Sequence, residues 1–146
     1  MPLTSSIEIQ VPFHDVDSMR IAWHGHFVKY FELARCQLLD ELGHGYAAMF
    51  ASGYAWPVVD MRIRYMRPLR FDQKISVSAT LKQWDHLLKI TYRIRDTKSG
   101  GSLARGFTTH APVNVDTGEL YLGQPPEVRR ALAEAGVSPP EKSTFL

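Results

Sequence analysis

Asp15, Asp17, His24 and His26 crowd one polar stretch of the chain, immediately ahead of a segment with helical character. A carboxylate in such a place can attack a carbonyl carbon directly or take a proton from water. An imidazole beside it can orient a substrate or a water molecule. The same four side chains are also an alternative ligand set, since His and Asp suit zinc, manganese or iron. Taken singly, each has a plainer reading. Asp15 and Asp17 are the residue type that binds local backbone N–H groups in turns, and His24 and His26 are able to cap or pack at a helix start.

What must position these groups is the segment that follows. Phe27, Phe31, Ala34, Leu38 and Leu42 recur at spacings of three and four, the period of a helix. Val28, Tyr30, Leu33 and Leu39 widen that stripe, so the helix expected over about 26–42 is one covered on most sides, with Gly43 placed to stop it. An acid just before its start lies beside unpaired backbone N–H groups and the positive end of the helix dipole. Such a setting stabilises an oxyanion.

The rest of the chain reads mainly as strands. Ile7, Ile9, Val11 and Phe13 alternate with Glu8, Gln10 and Pro12. Residues 44–57 predict a short second helix and a loop. Alternation resumes with Val59, Met61, Ile63 and Tyr65, then Ile75, Val77, Ala79 and Leu81, then Leu88, Ile90, Tyr92 and Ile94. A last strand carries Phe107, Thr109, Ala111, Val113 and Val115. Turn signals fall at 68–72, near Asp85, at 97–102 and at 116–119. Consecutive amphipathic strands joined by short turns predict an antiparallel sheet whose apolar face needs a cover, and helix 26–42 is the only long candidate. The expectation is an α+β fold in one domain, 1–146, with a short helix over 127–135 and a mobile tail from about 137.

Composition bounds the function. Seventeen basic and fifteen acidic residues leave a net charge of +2, which argues against a nucleic-acid partner. One cysteine excludes an intramolecular disulfide framework, and Cys36 reads as a buried, inert thiol. No leader-like start and no apolar run of membrane-spanning length is present, which points to the cytoplasm and away from a membrane. Tyr30, Phe31, Trp56 and Trp84 read as core or pocket wall. Arg62, Arg64, Lys82, Lys89, Arg93, Arg95 and Arg105 fall mostly on polar strand faces.

The pattern Asp15-Val16-Asp17, His24-Gly25-His26-Phe27, Tyr30-Phe31-Glu32 and Ala34-Arg35 resembles the 4-hydroxybenzoyl-CoA thioesterase family of hotdog-fold proteins, especially its YbgC-type acyl-CoA thioesterases. The resemblance implies a curved antiparallel sheet wrapped around a long central helix. It implies that Asp17 is the catalytic carboxylate, as nucleophile through a mixed anhydride or as general base on water. His24 falls where the family's backbone N–H polarises the substrate carbonyl, and Asp15, Gly25 and His26 fall on the substrate side of the motif. His26 departs from the Asn found there in many relatives. The implied substrate is an acyl-CoA or aroyl-CoA, with no cofactor or metal, in a homodimer or homotetramer whose pockets form between subunits. A subset of the strand-face arginines would suit the phosphates of coenzyme A, although Trp84 is followed by Asp85 and His86 rather than by basic residues. Two alternatives stay open: a thioesterase acting on acyl carrier protein, and a non-catalytic acyl-binding module. A dehydratase fits less well, since a His-Phe-x-Gly motif is absent around His24.

Overall fold

The computed structural model describes residues 3–84, 87–121 and 124–136. The turn expected near Asp85 and the tail from 137 lie outside the described residues. The central helix, α1, runs from His26 to Leu42, as its period predicts, and Gly43 ends it with φ of 81°, a left-handed conformation that glycine adopts without cost. Phe27, Tyr30, Phe31, Ala34, Leu38, Leu39 and Leu42 form its buried face. Leu33 is 48% exposed, so within one chain the helix is covered on one side rather than on most sides.

The strands are β1 (Thr4–Gln10), β2 (Tyr54–Ala55), β3 (Val58–Tyr65), β4 (Lys74–Gln83), β5 (Leu88–Asp96), β6 (Ser102–His110) and β7 (Val113–Asn114). A short helix α2 spans Tyr46–Ser52 and α3 spans Pro126–Glu134. Five strands form one antiparallel sheet in the order β1-β4-β5-β6-β3, and β2 pairs with β7 apart from it. The even alternation of β4 and β5 puts Ile75, Val77, Ala79, Leu81, Leu88, Ile90, Tyr92 and Ile94 against α1, as expected. Phe31 stacks on Tyr92 with ring centroids 4.5 Å apart, directly over the sheet. A Cβ on Gly106 would lie 2.3 Å from the Arg62 carbonyl oxygen and 2.9 Å from the Phe31 ring, so only glycine lets β3, β6 and α1 approach this closely.

Three expectations need correction. The first strand stops at Gln10. Pro12 has no N–H to extend the ladder, and Phe13, 77% exposed, opens a 3-10 turn over Phe13–Asp15. The last strand has the opposite phase to the one expected. Ala104, Thr108 and His110 are buried, while Phe107 lies beside outward-facing Arg62 and Thr91 in the cross-strand register. Unbroken pairing with β5 sets this phase, because inward-facing Leu88, Ile90, Tyr92 and Ile94 stand opposite His110, Thr108, Gly106 and Ala104, and β6 carries no strong alternation of its own to oppose it. Finally, Val59, Met61 and Tyr65 are 55%, 41% and 46% exposed, because β3 is the sheet edge and has a neighbouring strand on one side alone.

Candidate active site at the start of the central helix

The loop between Val11 and α1 is held by short backbone contacts rather than by a core of its own. Val16 bridges to Ala22, Ile21 bridges to Arg70, and the Asp17 N–H donates to the Ile21 carbonyl at 3.0 Å. Arg20 closes the tight reversal with φ of 63°, an uncommon conformation for a residue with a Cβ. This reversal gives the two aspartates opposite environments.

Asp15 is buried, with 2% of its surface exposed. Its carboxylate accepts from the Tyr30 hydroxyl at 2.7 Å and from Lys29 Nζ at 2.5 Å, and His26 Nε2 lies 3.9 Å away. Burial alone would push the Asp15 carboxyl up, but the bonds from Lys29 and Tyr30, with the Lys29 and His26 charges, hold it below the ordinary value. Asp17 is exposed, and one of its oxygens accepts from the Met19 N–H at 2.8 Å. Among the described residues its other oxygen has no partner, and no hydrogen bond or ion pair joins it to His24 or His26.

The helix start carries no side-chain cap, with Gly25 at the N-cap position. The His26 N–H turns back to the Trp23 carbonyl at 2.9 Å. Among the described residues the N–H groups of His24 and Gly25 have no protein acceptor. Aromatic rings enclose this end of the helix: Trp23 lies 5.0 Å from His24 and 5.5 Å from His26, and Tyr65 lies 6.3 Å from His24 and 4.7 Å from Phe27. The Tyr65 hydroxyl donates to the His24 carbonyl at 2.9 Å. A Cβ on Gly25 would lie 2.2 Å from the Trp23 ring, so this glycine lets the indole lie across the backbone.

The structure thus gathers Asp15, His26, His24 and Gly25 around one helix end and leaves Asp17 exposed in the loop that precedes it. Tyr65, Lys29 and Trp23 belong to the same place, although the sequence reading did not single them out for it. Tyr65 is far from His24 along the chain, and only the return of β3 brings it there. Among the described residues no three His, Cys, Asp or Glu side chains are grouped so as to hold a metal ion. Burial pushes the Cys36 thiol up, away from reactivity.

A long helix laid on a curved antiparallel sheet is the architecture of a hotdog-fold protein. Residues 11–136 match the model of the thioesterase-like superfamily, and the chain belongs to that superfamily. It is 31% identical over 81 residues to the Bacillus subtilis protein YneP, provisionally named an acyl-CoA thioesterase, a match that covers 56% of this chain and 59% of that one. It is 25% identical over 73 residues to the acyl-CoA thioester hydrolase YbgC of Escherichia coli, covering 50% of this chain and 54% of that one. Each match therefore spans little more than half of the relative's length. Among solved structures, a hypothetical protein from Thermus thermophilus superposes with a TM-score of 0.78 at 30% identity, covering 89% of this chain and 98% of that one. A 1,4-dihydroxy-2-naphthoyl-CoA thioesterase from Synechocystis superposes at 0.80 with 21% identity, covering 92% and 99%. Among the described residues no helix is long and apolar enough to cross a membrane.

Proposed function

We propose that the chain is a thioester hydrolase that cleaves an acyl-CoA or aroyl-CoA to the free acid and coenzyme A at the start of α1. The observation that carries this reading is the pair of N–H groups on His24 and Gly25, without a protein acceptor among the described residues, at the positive end of a 17-residue helix, with Asp17 exposed in the loop that leads into it. In the base route, Asp17 takes a proton from water as the water oxygen bonds to the thioester carbonyl carbon. The negative charge that develops on the carbonyl oxygen is met by the two N–H groups. Collapse breaks the C–S bond, and the proton passes to the departing thiolate. In the nucleophilic route, Asp17 itself forms that bond and water then opens the resulting anhydride. Asp15 acts as a positioning residue, tying the loop to α1 through Tyr30 and Lys29, with Gly25 and His26 shaping the substrate's approach.

The same reading includes a homodimer or larger homo-oligomer. Edge strand β3 presents open backbone groups, and its apolar residues Val58, Val59, Met61 and Tyr65 are uncovered next to the site. A second copy on this edge would cover them and supply the far wall of the pocket. Purified protein should hydrolyse at least one member of a panel of short, long and aromatic acyl-CoA thioesters, with an acyl carrier protein substrate run beside it. Absence of hydrolysis across that panel would refute the activity. Sedimentation equilibrium showing a fully active species at the 16.6 kDa chain mass would refute a shared pocket.

A further inference from the structure

On the sheet face turned away from α1, three arginines stand side by side. Arg93 on β5 is directly opposite Arg105 on β6, which is directly opposite Arg64 on β3. Like charges at opposed positions repel and destabilise a sheet. Among the described residues no carboxylate lies within 4.0 Å of any of the three to offset this. The neighbouring row adds Thr80, Thr91, Phe107 and Arg62 in the same register. Together these rows line a groove of about 630 Å3, to which Lys82, Lys89 and Arg95 also contribute and no acidic residue does. Lys89 Nζ lies 4.6 Å from the centre of the Phe107 ring.

We propose that this groove is a second binding site, separate from the helix-end site, for a free nucleoside di- or triphosphate. Paired guanidinium groups are suited to bidentate contacts with phosphate oxygens, and an anion bridging Arg64, Arg93 and Arg105 would supply the charge the bare sheet lacks. Phe107 offers an aromatic face for a base, with Thr80 and Thr91 hydroxyls beside it. The groove has the volume of a small-molecule site. A second copy of the chain is a poor occupant, since it would set its own arginine row against this one. The lining of the groove shares no residue with the helix-end site, so the site does not depend on the thioesterase reading.

Thermal unfolding at low ionic strength tests this, with ATP, pyrophosphate and polyglutamate as probes. ATP should raise the melting temperature by several degrees, and pyrophosphate by less. Arg105→Thr should melt higher than the wild type without ligand, because the repulsion is relieved, and should lose the ATP response. Asp17→Asn should keep it. No response to ATP, or an equal response in Arg105→Thr, would overturn the proposal. So would a response to polyglutamate alone, which would indicate an acidic protein partner. A raised KM for acyl-CoA in Arg105→Thr would assign the groove to the substrate's own nucleotide and overturn a separate site.

Discussion

The Tyr30 hydroxyl donates to the buried carboxylate of Asp15 across 2.7 Å, tying the loop that carries Asp17 to the second turn of α1. Burial and that bond, with the Asp15 charge, push the tyrosine's own ionisation up, so Tyr30 stays a donor at every physiological pH. Asp15 and Asp17 look alike in sequence and differ in environment. One is buried and bonded to α1, and the other is exposed.

This tie has a pH signature. The carboxyl of Asp15 is held below its ordinary value of 3.8 in the folded state, so it adds stability above that value and loses it as pH falls through the folded one. Urea unfolding of the wild type should show this loss below about pH 4. Tyr30→Phe removes one donor from a buried carboxylate and should cost about 1–3 kcal/mol at pH 7. Unchanged stability of Tyr30→Phe would mean that the bond does not hold the loop.

Asp17→Asn keeps the side-chain volume and removes the charge. Its expected effect is a loss of turnover of at least about a hundredfold with an unchanged melting temperature. Asp15→Asn should cost much less turnover per folded molecule and show its effect in stability instead. Equal turnover of wild type and Asp17→Asn on the best thioester of the panel would remove Asp17 from the mechanism.

A buried polar chain under α1 gives a second pH effect. His110 Nδ1 faces the Trp56 carbonyl at 2.9 Å, and a carbonyl only accepts, so Nδ1 carries the proton. His110 Nε2 therefore accepts from Thr108, Thr108 from Tyr92 and Tyr92 from Arg35, at 2.8, 2.6 and 3.3 Å. Burial, aided by the Arg35 charge, outweighs the Trp56 carbonyl and pushes His110 down to about 4 from 6.5. Between those values the unfolded chain binds more protons, so stability should fall as pH drops through this window, by up to about 1.4 kcal/mol per unit. Buried His44, also shifted down by burial, adds in the same direction. His110→Gln should flatten the slope between pH 6.5 and about 4; a slope equal to the wild type's would contradict the neutral buried imidazole.

The proposed chemistry uses a carboxylate and backbone donors. Dialysis against EDTA should leave the turnover of the purified enzyme within about twofold of its starting value, since no step calls on a Lewis acid. Loss of activity on chelation, restored by zinc or manganese, would favour the metal-ligand reading of Asp15, Asp17, His24 and His26.

The elements with strong local periods were legible in the sequence. Helix 26–42, its glycine stop and the inward faces of β4 and β5 follow from which neighbours along the chain are apolar, and the pattern from Asp15 to Arg35 pointed to the family before any contact was known. Tertiary structure decided what depends on distant partners. It gave Asp15 and Asp17 different environments, because the burial of Asp15 rests on Tyr30 and Lys29 reaching back from α1. It also brought Tyr65 to His24, reversed the face of β6 and aligned Arg64, Arg93 and Arg105 in one row. Each of these is set by cross-strand register or chain reversal, and a shift of one residue in pairing moves a side chain to the other face of the sheet without changing the strand's sequence.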